Sequence, residues 1–180
     1  MYKKLFDYFS RNEMILWCSS VAFIVLSFCI FDRENYLTLS ASLIGVTSLI
    51  FNAKGNPFGQ FLMVIFSLLY GIISFTFAYY GEMITYLGMT MPMAVFALVS
   101  WLKNPYNGNR SEAKVNSISK KESFFALAYA SNDIVLIVLW ALAGFADTRY
   151  LSVVVCFLAF FVNDVYGFIN WKRMKERQKG

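Results

Sequence analysis

Long apolar runs separated by short polar breaks set the architecture of this chain. Six runs approach the roughly 20 residues that a helix needs to cross a bilayer. They cover residues 14–31, 36–53, 60–80, 83–102, 124–145 and 150–171. The second, rich in Ser and Thr, is the weakest. The first ends on Asp32-Arg33-Glu34 without a small-residue cleavage site, so it reads as a span and not as a signal peptide. Before it, residues 1–13 suit an amphipathic segment lying on the membrane surface. The stretch "KNPYNGNRSEAKVNSISKKES", residues 103–123, has the Asn, Gly, Ser and Pro content of a linker. It separates four spans (14–102) from two (124–171), and residues 172–180 form a basic tail. The expected fold class is an all-α polytopic membrane bundle.

Composition agrees, because 58% of the 180 residues are hydrophobic and 15% charged, against about 25% charged in a soluble domain. Charge then orients the chain. With both termini in the cytoplasm, all but Arg33 and Arg149 of the 16 basic residues fall on the inner side. The formal charge of +5 therefore reads as topology. Nucleic acid is not an expected partner, since no basic patch with interleaved aromatics occurs in a foldable soluble segment. The chain lacks histidine, and Cys18, Cys29 and Cys156 sit in apolar runs without metal-ligand spacing. Neither a metal nor a cofactor is expected.

Polar residues inside the spans mark the faces that turn away from lipid. In the second span Thr38, Ser42, Gly45, Ser48 and Asn52 follow one helical face. Gln60, Ser67, Tyr70 and Ser74 do so in the third, and Tyr129, Asp133 and Trp140 in the fifth, with Asn132 adjacent. Asn163, Tyr166 and Asn170 make a stripe in the sixth, next to Asp164 and Trp171. The Ser, Thr and Gly positions are ordinary helix-packing residues as readily as site residues. The carboxylates are harder to dismiss. An Asp at mid-membrane costs roughly 2.5–3.5 kcal/mol on insertion scales, so it needs a wet cavity, a polar partner or a substrate. From a rise of about 1.5 Å per residue, Asp133 and Asp164 lie roughly 14 and 12 Å in from the same side. On antiparallel neighbours, Asn132-Asp133 and Asn163-Asp164 can face each other at one level. A purely structural network of Asn and Asp would account for them as well.

The halves echo each other: long helix, acidic turn (Gly81-Glu82, then Ala146-Asp147), and a helix closing on Trp101-Leu102-Lys103 or on Trp171-Lys172. Repeated helical units with a site between them build several small transporters. Pro92, deep in the fourth span, is a candidate hinge, though a static kink fits it equally.

Three blocks, "MPMAVFALVSWLKNPYNGNRSEAKVN", "ALAYASNDIVLIVLW" and "FFVNDVYGFINWKRMKERQ", closely resemble the PnuC family of bacterial nicotinamide riboside transporters. The resemblance runs in order along nearly the whole chain. It implies a SWEET-like fold of two three-helix bundles with an extra N-terminal helix, and carriage of nicotinamide riboside by facilitated diffusion. It also marks a departure. Between Asn116 and Ser123 the family's linker helix and the first helix of the second bundle are missing, which leaves that bundle incomplete. A second copy of the chain could fill the gap, but no residue pattern specifies one. Together with the stripes, the resemblance nominates Trp140, Tyr129 and Tyr166 for stacking, and Tyr70 as a further substrate-binding residue. Gln60, Asn132, Asn163 and Asn170 are the candidate hydrogen-bonding groups. Asp133 and Asp164 would tune the field around the cationic ring or hold the Asn side chains in place.

Rival classes remain. An enzyme is disfavoured, because two isolated Asp residues without His or a phosphate loop make no reaction centre. A vitamin-capturing subunit of an energised importer is also a six-helix protein. A shortened, non-transporting paralogue gains weight from the missing helices. Thiamine or another riboside is an alternative substrate.

Overall fold

The structure is a computed structural model and describes residues 8–115 and 119–179, without the side chains of residues 119–130. It contains helices α1 (Arg11–Phe31), α2 (Tyr36–Ala53), α3 (Pro57–Thr76), α4 (Tyr80–Ile84), α5 (Met91–Lys103), α6 (Ser119–Gly144) and α7 (Leu151–Arg177). A π-helical segment, Thr85–Thr90, joins α4 to α5, and strands β1 (Pro105–Tyr106) and β2 (Asn109–Ala113) pair antiparallel between α5 and α6. Five stretches, α1, α2, α3, Tyr80–Lys103 and Thr148–Arg177, are long and apolar enough to cross a membrane, and the described part of α6 is a shorter apolar helix. The result is a multi-pass helical membrane bundle.

Each break between helices has a local chemical cause. Ser10 caps α1 in a capping box with Glu13, which satisfies two of the first-turn N–H groups. Asn35 and Asn56 cap α2 and α3, and Pro57 follows Asn56 at the first helical position. Asp147 caps the short 3₁₀ turn Thr148–Tyr150. The Arg149 guanidinium donates to it from Nε and Nη2 (2.9 and 2.7 Å) and holds that carboxyl below its ordinary range. In the fourth span Pro92 has no N–H to give, and its ring would crowd the carbonyl four residues back. The chain widens by one residue just before it, and Met91 N donates to Tyr86 O in the π register.

α2 packs on α3 and α7, α3 on α5, α6 on α7, and α1 on α7 and α2. The small-polar stripe of α2 makes these approaches close. Thr38, Ser42, Gly45 and Ser48 are all buried, and a Cβ on Gly59 would collide with Asn52 and the Ser48 carbonyl. The outward faces are apolar, with Ile15, Phe23, Leu26, Phe96, Val135 and Leu142 all exposed. That is the inverse of a soluble protein and suits a lipid surround.

The structure departs from the sequence expectations in the connecting segments. Within 103–123, "YNGN" makes a tight hairpin turn, with Asn107 and Gly108 both at positive φ (48° and 77°), the Asn-Gly turn that hairpin twist favours. Ala113 N donates to Gly55 O, which ties the hairpin under the α2–α3 loop. α7 runs on to Arg177, so most of the expected basic tail is helix. Of the expected surface segment 1–13, residues 1–7 lie outside the described residues. Tyr8 donates to Ser111 O and Gln178 to Glu112, so both ends of the described chain meet at one end of the bundle. That end also carries Lys54, Lys103, Arg173 and Arg177.

Candidate functional site

A buried chamber lies between α2, α3, the π segment, α6 and α7. Its wall is Gly45, Leu49, Met63, Phe66, Tyr86, Thr90, Asn132, Asp133, Phe160 and Asp164. Each helix supplies its part by spacing. Gly45 and Leu49, Met63 and Phe66, Tyr86 and Thr90, and Phe160 and Asp164 are pairs three or four apart, each on one helical face. Asp133 is buried (6% exposed), and its side chain meets that of Asp164 across the α6–α7 contact. Asp133 Oδ2 has no hydrogen-bond partner among the described residues. Two carboxyl groups in contact among rings call for a positive charge or a proton between them, and among the described residues no Lys or Arg lines the wall.

Glycine at position 45 lets the rings converge. A Cβ there would stand 2.5 Å from Phe160 and 2.8 Å from Phe66. Phe66 meets Phe160 and Tyr86 edge-on, with centroids 5.3 and 5.6 Å apart. The chamber volume is about 30 Å³, enough for roughly one or two waters and far below a nucleoside.

An aromatic layer stands on each side of the chamber. Away from the basic end, Trp140 is fully buried among Phe77, Tyr79 and Tyr150, at centroid distances of 5.9, 4.8 and 5.4 Å. Its Nε1 donates to Glu82 Oε1 (3.2 Å). Toward the basic end, Trp101 packs on Trp171 with centroids 5.4 Å apart, and Trp171 Nε1 donates to Asn52 O (2.9 Å). These two tryptophans close the two sequence repeats, so equivalent positions meet in space.

The structure brings together Asn132, Asp133 and Asp164 of the residues nominated from sequence. Tyr70 backs the wall. Its ring packs on Phe66 and Tyr86, and its hydroxyl donates to Cys156 Sγ (3.8 Å). Trp140 lies two helical turns from Asp133, in the aromatic layer. Asn163 turns to another face, where its Nδ2 donates to Ser20 Oγ (2.9 Å) and Ala159 O (2.8 Å), bonding α7 to α1. Tyr166 donates to Glu13 Oε1 (3.1 Å), and Asn170 to Ala53 O (2.8 Å), satisfying a carbonyl at the end of α2. Gln60 is half-buried in the first turn of α3 and does not line the chamber. The Tyr129 side chain lies outside the described residues. Pro92 stands directly after the π segment that carries Tyr86 and Thr90.

Sequence reasoning missed Phe66, Tyr86, Thr90, Phe160 and Glu82. Aromatic residues are common in apolar spans, so nothing in the pattern singles out the two phenylalanines or Tyr86. Glu82 reads as a turn residue, yet it is buried (7% exposed) with Oε2 unpartnered among the described residues.

The fold is a polytopic helical bundle with a small acidic and aromatic chamber at its centre. The chain belongs to the family described as nicotinamide mononucleotide transporter, which matches residues 35–131. It is also similar to the nicotinamide riboside transporter PnuC of Neisseria mucosa, with 22% identity over 204 residues, 84% of this chain and 77% of that one. That alignment is longer than the 180 residues of this chain, so the relative carries extra residues inside the matched region. In three dimensions the fold matches the crystal structure of the vitamin B3 transporter PnuC, with a TM-score of 0.78, 19% identity and 94% of each chain covered. These likenesses place the chain among transporters and outside the enzymes.

Proposed function

We propose that the protein carries nicotinamide riboside across a bacterial cytoplasmic membrane by facilitated diffusion, with the basic end in the cytoplasm and the chamber as its site. The observation that carries this reading is the contact of Asp133 with Asp164 inside three rings, Phe66, Tyr86 and Phe160, with no basic residue in the wall among the described residues. Nicotinamide riboside is a cation with a carboxamide and ribose hydroxyls. The rings offer cation–π contacts worth roughly 0.5–2 kcal/mol each, and the carboxylates offset the charge. Asn132 and Thr90 offer hydrogen bonds. The mononucleotide in the family's description fits this wall less well, because its phosphate would enter against two carboxylates and, among the described residues, meet no Lys or Arg.

A volume of about 30 Å³ is too small for a nucleoside, so the chamber widens when substrate binds. Substrate enters when the layer around Trp140 opens, and it leaves when the Trp101–Trp171 layer opens. The π segment before Pro92 provides the yielding backbone. Gln60, Tyr70, Tyr129, Asn163, Tyr166 and Asn170 act as supporting groups around this path. Reconstitution into vesicles tests the reading. Labelled nicotinamide riboside should equilibrate across the membrane without ATP or an ion gradient, and nicotinamide mononucleotide should not. A non-transporting paralogue is the second reading, favoured by the extra residues of the longer relative. It would bind the riboside without moving it.

A further inference from the structure

A second recess opens at the basic end and shares no wall residue with the chamber. It lies between the first turn of α1, the end of α2, the β-hairpin and the last turns of α7. Its volume is about 320 Å³, at the lower limit of small-molecule pockets, which run from about 300 to 1,000 Å³. Five charged residues line it: Glu13, Lys54, Glu112, Arg173 and Arg177.

Both acids are already satisfied. Glu13 accepts from Lys54 Nζ (3.0 Å), Tyr166 OH (3.1 Å) and Ser10 N (2.7 Å). Glu112 is ion-paired with Arg177 and accepts from Gln178 Nε2 (2.9 Å). Lys54 sits over the Tyr8 ring, 4.7 Å from its centroid. Arg173 is exposed and has no ion-pair partner among the described residues. Among the described residues the recess therefore holds one more positive charge than negative. The N-terminal end of α1 borders it and adds the partial positive charge of a helix dipole.

We propose that this recess is a phosphate-binding site, with the Arg173 guanidinium as the principal contact and Lys54 and Arg177 as flanking charges. A guanidinium fork matches two phosphate oxygens at once, which an ammonium does not. A cation would meet the uncompensated Arg173, and a neutral ligand would leave its charge unanswered. Two sources supply this chemistry: a soluble phosphomonoester, or the phosphate of an anionic lipid headgroup, which basic pockets at a membrane face also attract. The site stands independently of the riboside reading, because it uses no chamber residue.

The test uses the full chain in nanodiscs and follows thermal unfolding. In discs of phosphatidylcholine alone, ribose 5-phosphate is titrated as the soluble probe. In a second series, phosphatidylglycerol is introduced in steps. One of the two should raise the unfolding midpoint. Arg173→Gln should weaken the apparent affinity at least about tenfold, and Arg173→Lys should fall between it and the wild type. A response to ribose 5-phosphate in neutral discs identifies a soluble ligand, and a response to phosphatidylglycerol alone identifies a headgroup. No response to either probe overturns the proposal, as does a response that Arg173→Gln leaves undiminished. Arg173 is exposed, so both variants should unfold at the wild-type midpoint when no probe is present.

Discussion

Asp133 and Gly45 concentrate the physics of the site. Asp133 Oδ2 has no partner among the described residues while the carboxyl contacts Asp164, a poor arrangement unless a positive group is to enter. Asp133→Asn should therefore keep the fold and weaken riboside binding by about tenfold or more, equivalent to about 1.4 kcal/mol. Calorimetry on the purified protein reads this directly. Gly45→Leu would drive a branched side chain into Phe66 and Phe160. It should abolish uptake and, as an overpacking change, lower stability by roughly 1–3 kcal/mol, measurable by thermal unfolding in detergent. Asn163 sits beside Asp164 in sequence but is bonded to Ser20 and Ala159. Asn163→Ala should loosen the contact of α1 with α7 more than it alters substrate affinity. A fall in stability with unchanged binding would separate that role from direct contact.

The fourth span shows how one residue reshapes an element. Pro92 removes a backbone donor, the chain adopts π register over Thr85–Thr90, and Tyr86 and Thr90 both point into the chamber. Pro92→Ala allows a regular α-helix there, which advances each residue by about 100° and turns Tyr86 relative to α5. Uptake should fall several-fold while membrane insertion and unfolding temperature stay near wild type. Uptake that is unchanged would deny the π segment a part in transport. The stripes of α2 and α3 were legible in the sequence because period 3.6 survives in any single helix, and so were Asn132, Asp133 and Asp164. What one helix faces is not encoded in its own period. For that reason Tyr166 and Asn170 share a stripe with Asn163 yet serve Glu13 and Ala53. The hairpin at 105–113 was signalled by Asn107-Gly108, but its polar composition also matched a plain linker.

In the molecule as a whole, two repeats close on Trp101 and Trp171, and these meet at the basic end of the chamber. An opposite layer around Trp140 is held by Glu82. The multi-pass helical bundle and the family were readable before any coordinates. The narrowness of the chamber was not, because a narrow chamber and a wide one share a sequence. The orientation is testable by itself. In a cysteine-free background, a cysteine at Asn109 should react with an impermeant maleimide only after cells are opened, whereas one at Arg149 should react in intact cells.

The central claim is that an acidic, aromatic chamber selects a cationic nucleoside over its phosphorylated form. A binding titration with nicotinamide riboside and with nicotinamide mononucleotide on purified Arg173→Gln, which silences the basic recess, repeated with Asp133→Asn/Asp164→Asn added, tests it most directly. The account predicts saturable riboside binding, at least about tenfold weaker mononucleotide binding, and loss of that preference in the double variant. Equal affinity for both ligands, or a preference that survives removal of both carboxylates, would contradict it.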